Sequence, residues 1–102
     1  MESSTWKGYY TMDLKKYPTE VKLTFAPDGK IKGDGKDAVG AFTANGYKKL
    51  DAVYWKKQYV GGKLYEYEGK MSVEDKKNVI KGGWVFDPTH EHAIGKFLLT
   101  KD

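Results

Sequence analysis

Asp37 and Lys57 are charged residues on positions where an alternating sequence otherwise places aromatic or small side chains. They are the candidates in this chain for polar chemistry in an apolar setting. Lys57 lies in steps of two between Trp55 and Tyr59, and Asp37 follows Gly33 and Gly35 in the same step. An isolated buried charge is costly, so each needs an opposite charge or access to water. The sequence admits two arrangements. In the first, Asp37 and Lys57 form a buried or half-buried ion pair, supported by the hydroxyls of Tyr59, Tyr65 and Tyr67. In the second, Asp37, Trp55, Lys57, Tyr59, Tyr65, Tyr67 and Trp84 surround a polar group of a bound ligand.

Other constellations carry less. His90 and His92 flank Glu91, with Asp87 nearby, and two histidines two apart on an extended segment can share a face and bind a metal. No third ligand is evident around them, so no metal site is expected. Ser3, Ser4 and Ser72 sit in no nucleophile motif, and Gly33-Asp34-Gly35 precedes no helix, which argues against a phosphate loop. With no acid–base or nucleophile constellation and no cofactor motif, the chain reads as a non-enzyme.

The elements that must position these residues are strands. Trp6, Gly8, Tyr10 and Met12 alternate with polar residues, and the beat returns at Val21, Leu23, Phe25, at Val53, Trp55, Lys57, Tyr59, and at Ile80, Gly82, Trp84, Phe86. Successive side chains on a strand face opposite sides, so this period predicts half-buried antiparallel strands with one wet face. Pro27-Asp28-Gly29, Asn45-Gly46 and Gly61-Gly62 read as turns, and Tyr17-Pro18-Thr19 as the break between the first two strands. Glu74–Asn78 reads as a charged loop and Asp87–His92 as the last hairpin connection. The strands then fall at about 6–14, 20–26, 30–36, 40–44, 50–60, 63–73, 78–86 and 93–100. About eight short strands with tight connections, and no helical period, predict an all-β, antiparallel up-and-down barrel. Glycines at 8, 33, 35, 69, 82 and 95 fall on the inward phase, leaving room for the rings of Trp6, Trp55 and Trp84.

At 102 residues, the chain is expected to be a single domain spanning 1–102. It contains no cysteine, so packing rather than disulfides must stabilise it. The polar start and the lack of any long apolar run point to a soluble, cytoplasmic protein. The net charge is +4, but all 18 basic residues are lysines, interspersed with 14 acidic ones. Without arginine's planar fork, that balance fits a mixed solvated surface better than nucleic-acid recognition. Tyr9, Tyr47 and Tyr54 fall on the outer phase or at a turn. There they serve as cross-strand pairs, as protein-recognition contacts or as stacking platforms.

The recurring units are Trp6-x-Gly8-x-Tyr10, Gly33-x-Gly35-x-Asp37-x-x-Gly40-x-Phe42, Lys57-x-Tyr59, Tyr65-x-Tyr67-x-Gly69, Ile80-x-Gly82-x-Trp84 and Gly95-x-Phe97-x-Leu99. Together they resemble small meander barrels of avidin- and lipocalin-like (calycin-like) outline, and barrel modules attached to multidomain eukaryotic signalling and cytoskeletal proteins. The resemblance covers nearly the whole chain and implies a barrel with a possible ligand interior. It transfers no functional residue. The function expected is a non-catalytic binding or protein-interaction module. The alternatives are a carrier of a small organic ligand inside the barrel and, less in keeping with the composition, a single-stranded nucleic-acid binder.

Overall fold

The computed structural model describes residues 2–86 and 94–101. They form eight strands: β1 (Glu2–Met12), β2 (Lys15–Phe25), β3 (Lys30–Asp37), β4 (Ala41–Lys49), β5 (Ala52–Tyr59), β6 (Leu64–Glu74), β7 (Lys77–Phe86) and β8 (Ile94–Lys101). Each pairs antiparallel with the next, and β1 pairs with β8 to close the barrel. The architecture is the all-β, up-and-down barrel that the two-residue period predicts. Among the described residues there is no helix, and none long and apolar enough to cross a membrane.

Alternation explains the interior. On β5, Val53, Trp55, Lys57 and Tyr59 are all buried, while Ala52, Lys56 and Gln58 face solvent. Trp6, Trp55 and Trp84 are buried, as their phase predicts. The strand connections divide the barrel into two ends. Residues 13–14, 38–40 and 60–63 lie at one end, here called the mouth. Residues 26–29, 50–51 and 75–76 lie at the other, the base.

Several turns differ from those expected. The first hairpin turns at Asp13-Leu14, both with positive φ, and not at Tyr17-Pro18-Thr19. Pro18 sits inside β2 opposite Tyr9, just before the β2–β3 pairing begins at Thr19. One side of β2 therefore has no neighbouring strand at Pro18, the setting in which a strand accommodates proline. Asn45-Gly46 is also no turn: both residues lie within β4, which continues to Lys49 and turns at Leu50. Gly46 answers a different demand. A Cβ there would sit 1.8 Å from the Tyr54 carbonyl oxygen, so only glycine lets β5 approach this closely. The Glu74–Asn78 loop shrinks to a two-residue turn at Asp75-Lys76, with both flanks recruited into strands. Pro27-Asp28-Gly29 and Gly61-Gly62 do fall in connections. The expected hairpin at Asp87–His92, and with it the His90/His92 pair, lies outside the described residues.

Candidate functional site

The inward residues change character along the barrel axis. The base half is built from Trp6, Leu23, Ile31, Val53, Ile80 and Leu99, all buried and apolar. Towards the mouth the same strands deliver Tyr10 (β1), Tyr17 (β2), Asp37 (β3), Lys57 and Tyr59 (β5), Tyr65 and Tyr67 (β6) and Trp84 (β7).

Asp37 on β3 and Lys57 on β5, with β4 between them in the sheet, meet inside this half. The Lys57 ammonium donates to Asp37 Oδ2 at 2.5 Å, and the side chains of the pair are 3% and 0% exposed. Tyr59 donates to the same carboxylate oxygen at 2.6 Å, and the Val39 amide donates to Oδ1 at 2.8 Å. Lys57 donates further to the Tyr67 hydroxyl at 3.3 Å. Its ammonium also lies over the rings of Phe42 (4.2 Å), Tyr10 (4.7 Å), Tyr59 (4.9 Å) and Tyr67 (5.2 Å). Negative ring faces attract a cation, so the barrel supplies its own occupant to a four-ring cage.

This arrangement gives physical meaning to the Gly33-x-Gly35-x-Asp37-x-x-Gly40-x-Phe42 unit. A Cβ on Gly35 would come within 2.8 Å of the Phe42 ring, so glycine opens the space from which that ring reaches Lys57. Gly40 adopts φ +150°, a backbone state that disfavours side chains, and its carbonyl accepts from the Asp37 amide at 3.1 Å. The turn is thus closed by Gly40 and by the Asp37 carboxylate, and it sets Val39 at the mouth.

A shallow cleft opens there, lined by Tyr10, Met12, Val39, Tyr59, Tyr65, Tyr67 and Trp84. It encloses a cavity of about 10 Å³, about the room one water needs. The rings interlock: Tyr65 meets Trp84 edge-on at 5.4 Å and Tyr59 edge-on at 5.6 Å, while Tyr10 stacks on Tyr17 at 5.4 Å. Trp84 is anchored by its indole N–H, which donates to the Thr11 carbonyl at 3.0 Å.

One polar atom of the cleft is left over. The Tyr10 hydroxyl, on a residue 4% exposed, has no hydrogen-bond partner among the described residues. The Tyr59 hydroxyl is near enough to ease the ionisation of Tyr10. Tyr59 gives its own proton to Asp37 and keeps its oxygen as an acceptor facing Tyr10, but no hydrogen bond of normal geometry joins the two. Burial, followed by the negative charge of Asp37, pushes the Tyr10 and Tyr65 phenols above their ordinary value of 10.0. Tyr59 is raised by burial and by its hydrogen bond to Asp37, and Tyr67 chiefly by burial. All four remain protonated at neutral pH and can act as donors. Burial pulls Lys57 down from 10.5, with Asp37 opposing that shift.

Of the seven residues singled out by sequence, Tyr59, Tyr65, Tyr67 and Trp84 line the cleft. Asp37 and Lys57 lie behind its tyrosines. Trp55 sits deeper, stacked on Tyr67 at 5.6 Å and edge-on to Phe97 at 5.4 Å, and does not line the cleft. Tyr10, Met12 and Val39 complete the lining and were not singled out. Tyr10 was legible as inward from Trp6-x-Gly8-x-Tyr10, but its unpaired hydroxyl was not. On the outer face, Tyr47 leans on Tyr54 at 5.3 Å, Tyr54 donates to Glu66, and Lys16 sits 4.5 Å over the Tyr9 ring. No group of three potential metal ligands occurs among the described residues.

No protein-family model matches the sequence, and no curated protein matches it. Solved structures do share the architecture. Rhizavidin superposes with a TM-score of 0.73 at 9% identity, the alignment covering 98% of this chain and 81% of that one. The structure of EF1p2_mFAP2b bound to DFHBI superposes with a TM-score of 0.63 at 13% identity, covering 96% and 90%. The fold is therefore that of the avidin- and calycin-like eight-stranded barrels, as the sequence resemblance implies.

Proposed function

We propose that this chain is a single-domain, non-catalytic barrel that binds a small organic molecule in its mouth cleft. The observation that carries the reading is the Tyr10 hydroxyl, buried on the wall of an aromatic cleft with no protein hydrogen-bond partner of normal geometry among the described residues. A buried hydroxyl without a partner costs about 1–3 kcal/mol, a cost that a polar group entering the cleft, water or ligand, removes. The EF1p2_mFAP2b barrel bound to DFHBI lends support, because it shares this fold. A non-catalytic role is supported by the closed state of the charged groups. Asp37 is engaged by Lys57, Tyr59 and the Val39 amide, which leaves neither partner of the pair free to exchange protons with a substrate.

The test is side-chain NMR of the intact protein during titration with a library of small aromatic compounds. Shifts centred on Tyr10, Met12, Tyr65 and Trp84 are expected, with Leu23, Ile31 and Ile80 in the base unmoved. Shifts confined to the outer face would contradict the proposal. The broader role as a protein-interaction module draws on a different surface, the exposed Tyr47 with Tyr54 and Lys49, and does not depend on the cleft.

A further inference from the structure

We propose that the mouth cleft selects ligands that are electrically neutral, planar and aromatic, and that carry a hydrogen-bond acceptor for Tyr10. This rests on the mouth being the binding site and goes on to specify the chemistry it accepts. The Asp37 carboxylate cannot meet a cationic ligand. Oδ2 already accepts from Lys57 and Tyr59, Oδ1 accepts from the Val39 amide, and the side chain is fully buried. The Lys57 ammonium cannot meet an anionic one, because it is held by Asp37 and Tyr67 and covered by aromatic rings. The two charges sit 2.5 Å apart and cancel at the distance of the cleft. A charged ligand would therefore lose its hydration without gaining a partner, which is strongly unfavourable.

The aromatic cage that would otherwise suit an alkylammonium is already occupied by Lys57. Beyond it, the walls are the rings of Tyr65 and Trp84, set edge to face; Trp84 is buried, so a flat ring meets Tyr65 first and reaches Trp84 only as the cleft opens. Met12 and the exposed side chain of Val39 form the apolar rim. A thioether and a valine on a turn can shift to widen a cleft that is nearly closed without ligand. A cavity of about 150 Å³ holds one benzene ring, against about 10 Å³ in this cleft, so a ring with a short substituent enters only as Met12 and Val39 move aside.

The polar demand of the cleft is the Tyr10 phenol. A phenol keeps its proton at neutral pH, and here burial and then the Asp37 charge hold it there, so it presents a donor. The complementary group is a carbonyl oxygen or a ring nitrogen. A hydrogen bond of this neutral kind contributes about tenfold in affinity.

Four probes of similar size separate the terms: benzamide, benzoate, benzylammonium and toluene, each titrated into the intact protein and followed by Trp84 and Tyr10 NMR shifts. Benzamide is expected to bind at least tenfold more tightly than either ion, and about tenfold more tightly than toluene. In Tyr10→Phe, benzamide should fall to the level of toluene. If benzoate or benzylammonium moves the same resonances as strongly as benzamide, the cleft is a site but the selection of neutral ligands is wrong. If toluene equals benzamide in the wild-type protein, the Tyr10 hydrogen bond is wrong. If none of the four perturbs Tyr10 or Trp84 at millimolar concentration, the binding role of the cleft fails as well.

Discussion

The two halves of the barrel interior are made by the same strands and obey opposite rules. β1 contributes Trp6 to the base and Tyr10 to the mouth, β3 contributes Ile31 and Asp37, and β5 contributes Val53 and Lys57. The base buries apolar side chains against one another, the arrangement that stabilises a fold at least cost. The mouth buries an ion pair and a group of phenols, one of them with no protein partner of normal geometry among the described residues. Replacing such polar groups by apolar ones of similar volume is commonly neutral or stabilising, so their presence is not explained by stability. The binding role proposed for the mouth would account for that difference, with the base supplying the stability of the fold. The base has an orphan of its own, the Trp6 indole N–H, but it lies away from the mouth cleft, on a ring whose large apolar area is its main contribution.

The largest expected loss comes from the base. Trp6→Ala should cost about 3–5 kcal/mol in chemical unfolding, as for large aromatics removed from cores. A near wild-type midpoint would mean that the base is not the stabilising half.

The ion pair separates the halves more sharply. Asp37→Ala should cost about 3–5 kcal/mol, because it strands a buried ammonium, whereas Lys57→Met should be near neutral or stabilising. Equal losses in the two variants would show that the pair is needed for the fold itself. Because the cage survives Asp37→Ala, methylammonium should not rescue that variant. It should restore part of any loss seen in Lys57→Ala, where cage and carboxylate are both vacated, and an unfolding midpoint unmoved by added methylammonium would contradict the cage.

Both partners of this pair were legible from phase alone, because a charge in step with Trp55 and Tyr59, or with Gly33 and Gly35, has to be buried. The closed meander was legible for the same reason, since the two-residue period survives along almost the whole chain. The hairpins were less legible. Asn45-Gly46 and Pro18 carry strong local turn chemistry, yet closure fixes the register, and it demands glycine at 46 for strand approach while the sheet leaves Pro18 a free side. The turn at Asp13-Leu14, with both residues at positive φ, had no glycine or proline to announce it, whereas Asp75-Lys76 lies inside the charged stretch read as a loop and only its length was misjudged. The cleft was only half legible. Val39 enters it because Asp37 and Gly40 close a turn, and the state of the Tyr10 hydroxyl depends on where every neighbouring proton goes.

Alkaline pH offers a gentler probe of the mouth. The folded-state pKa values of Tyr10, Tyr59, Tyr65 and Tyr67 lie above the unfolded value, with burial as the leading cause. The stability they contribute is therefore fully present below about pH 10 and is lost as pH rises through the folded values. Lys57 is displaced downward and acts in the opposite sense, one group against four. Urea midpoints should fall above about pH 10, with tyrosinate absorbance from these residues appearing only as the barrel opens. Ordinary titration of all the tyrosines near pH 10 in the folded protein would contradict a desolvated mouth.

The most direct measurement is the stability of Tyr10→Phe, which removes one oxygen from the mouth and nothing from the base. If the hydroxyl is unsatisfied in the folded protein and reserved for a ligand, the variant should melt at or above the wild-type temperature and gain up to about 1 kcal/mol. A loss of 1 kcal/mol or more would show that the hydroxyl already has a structural partner, and would contradict the assignment of the mouth to recognition.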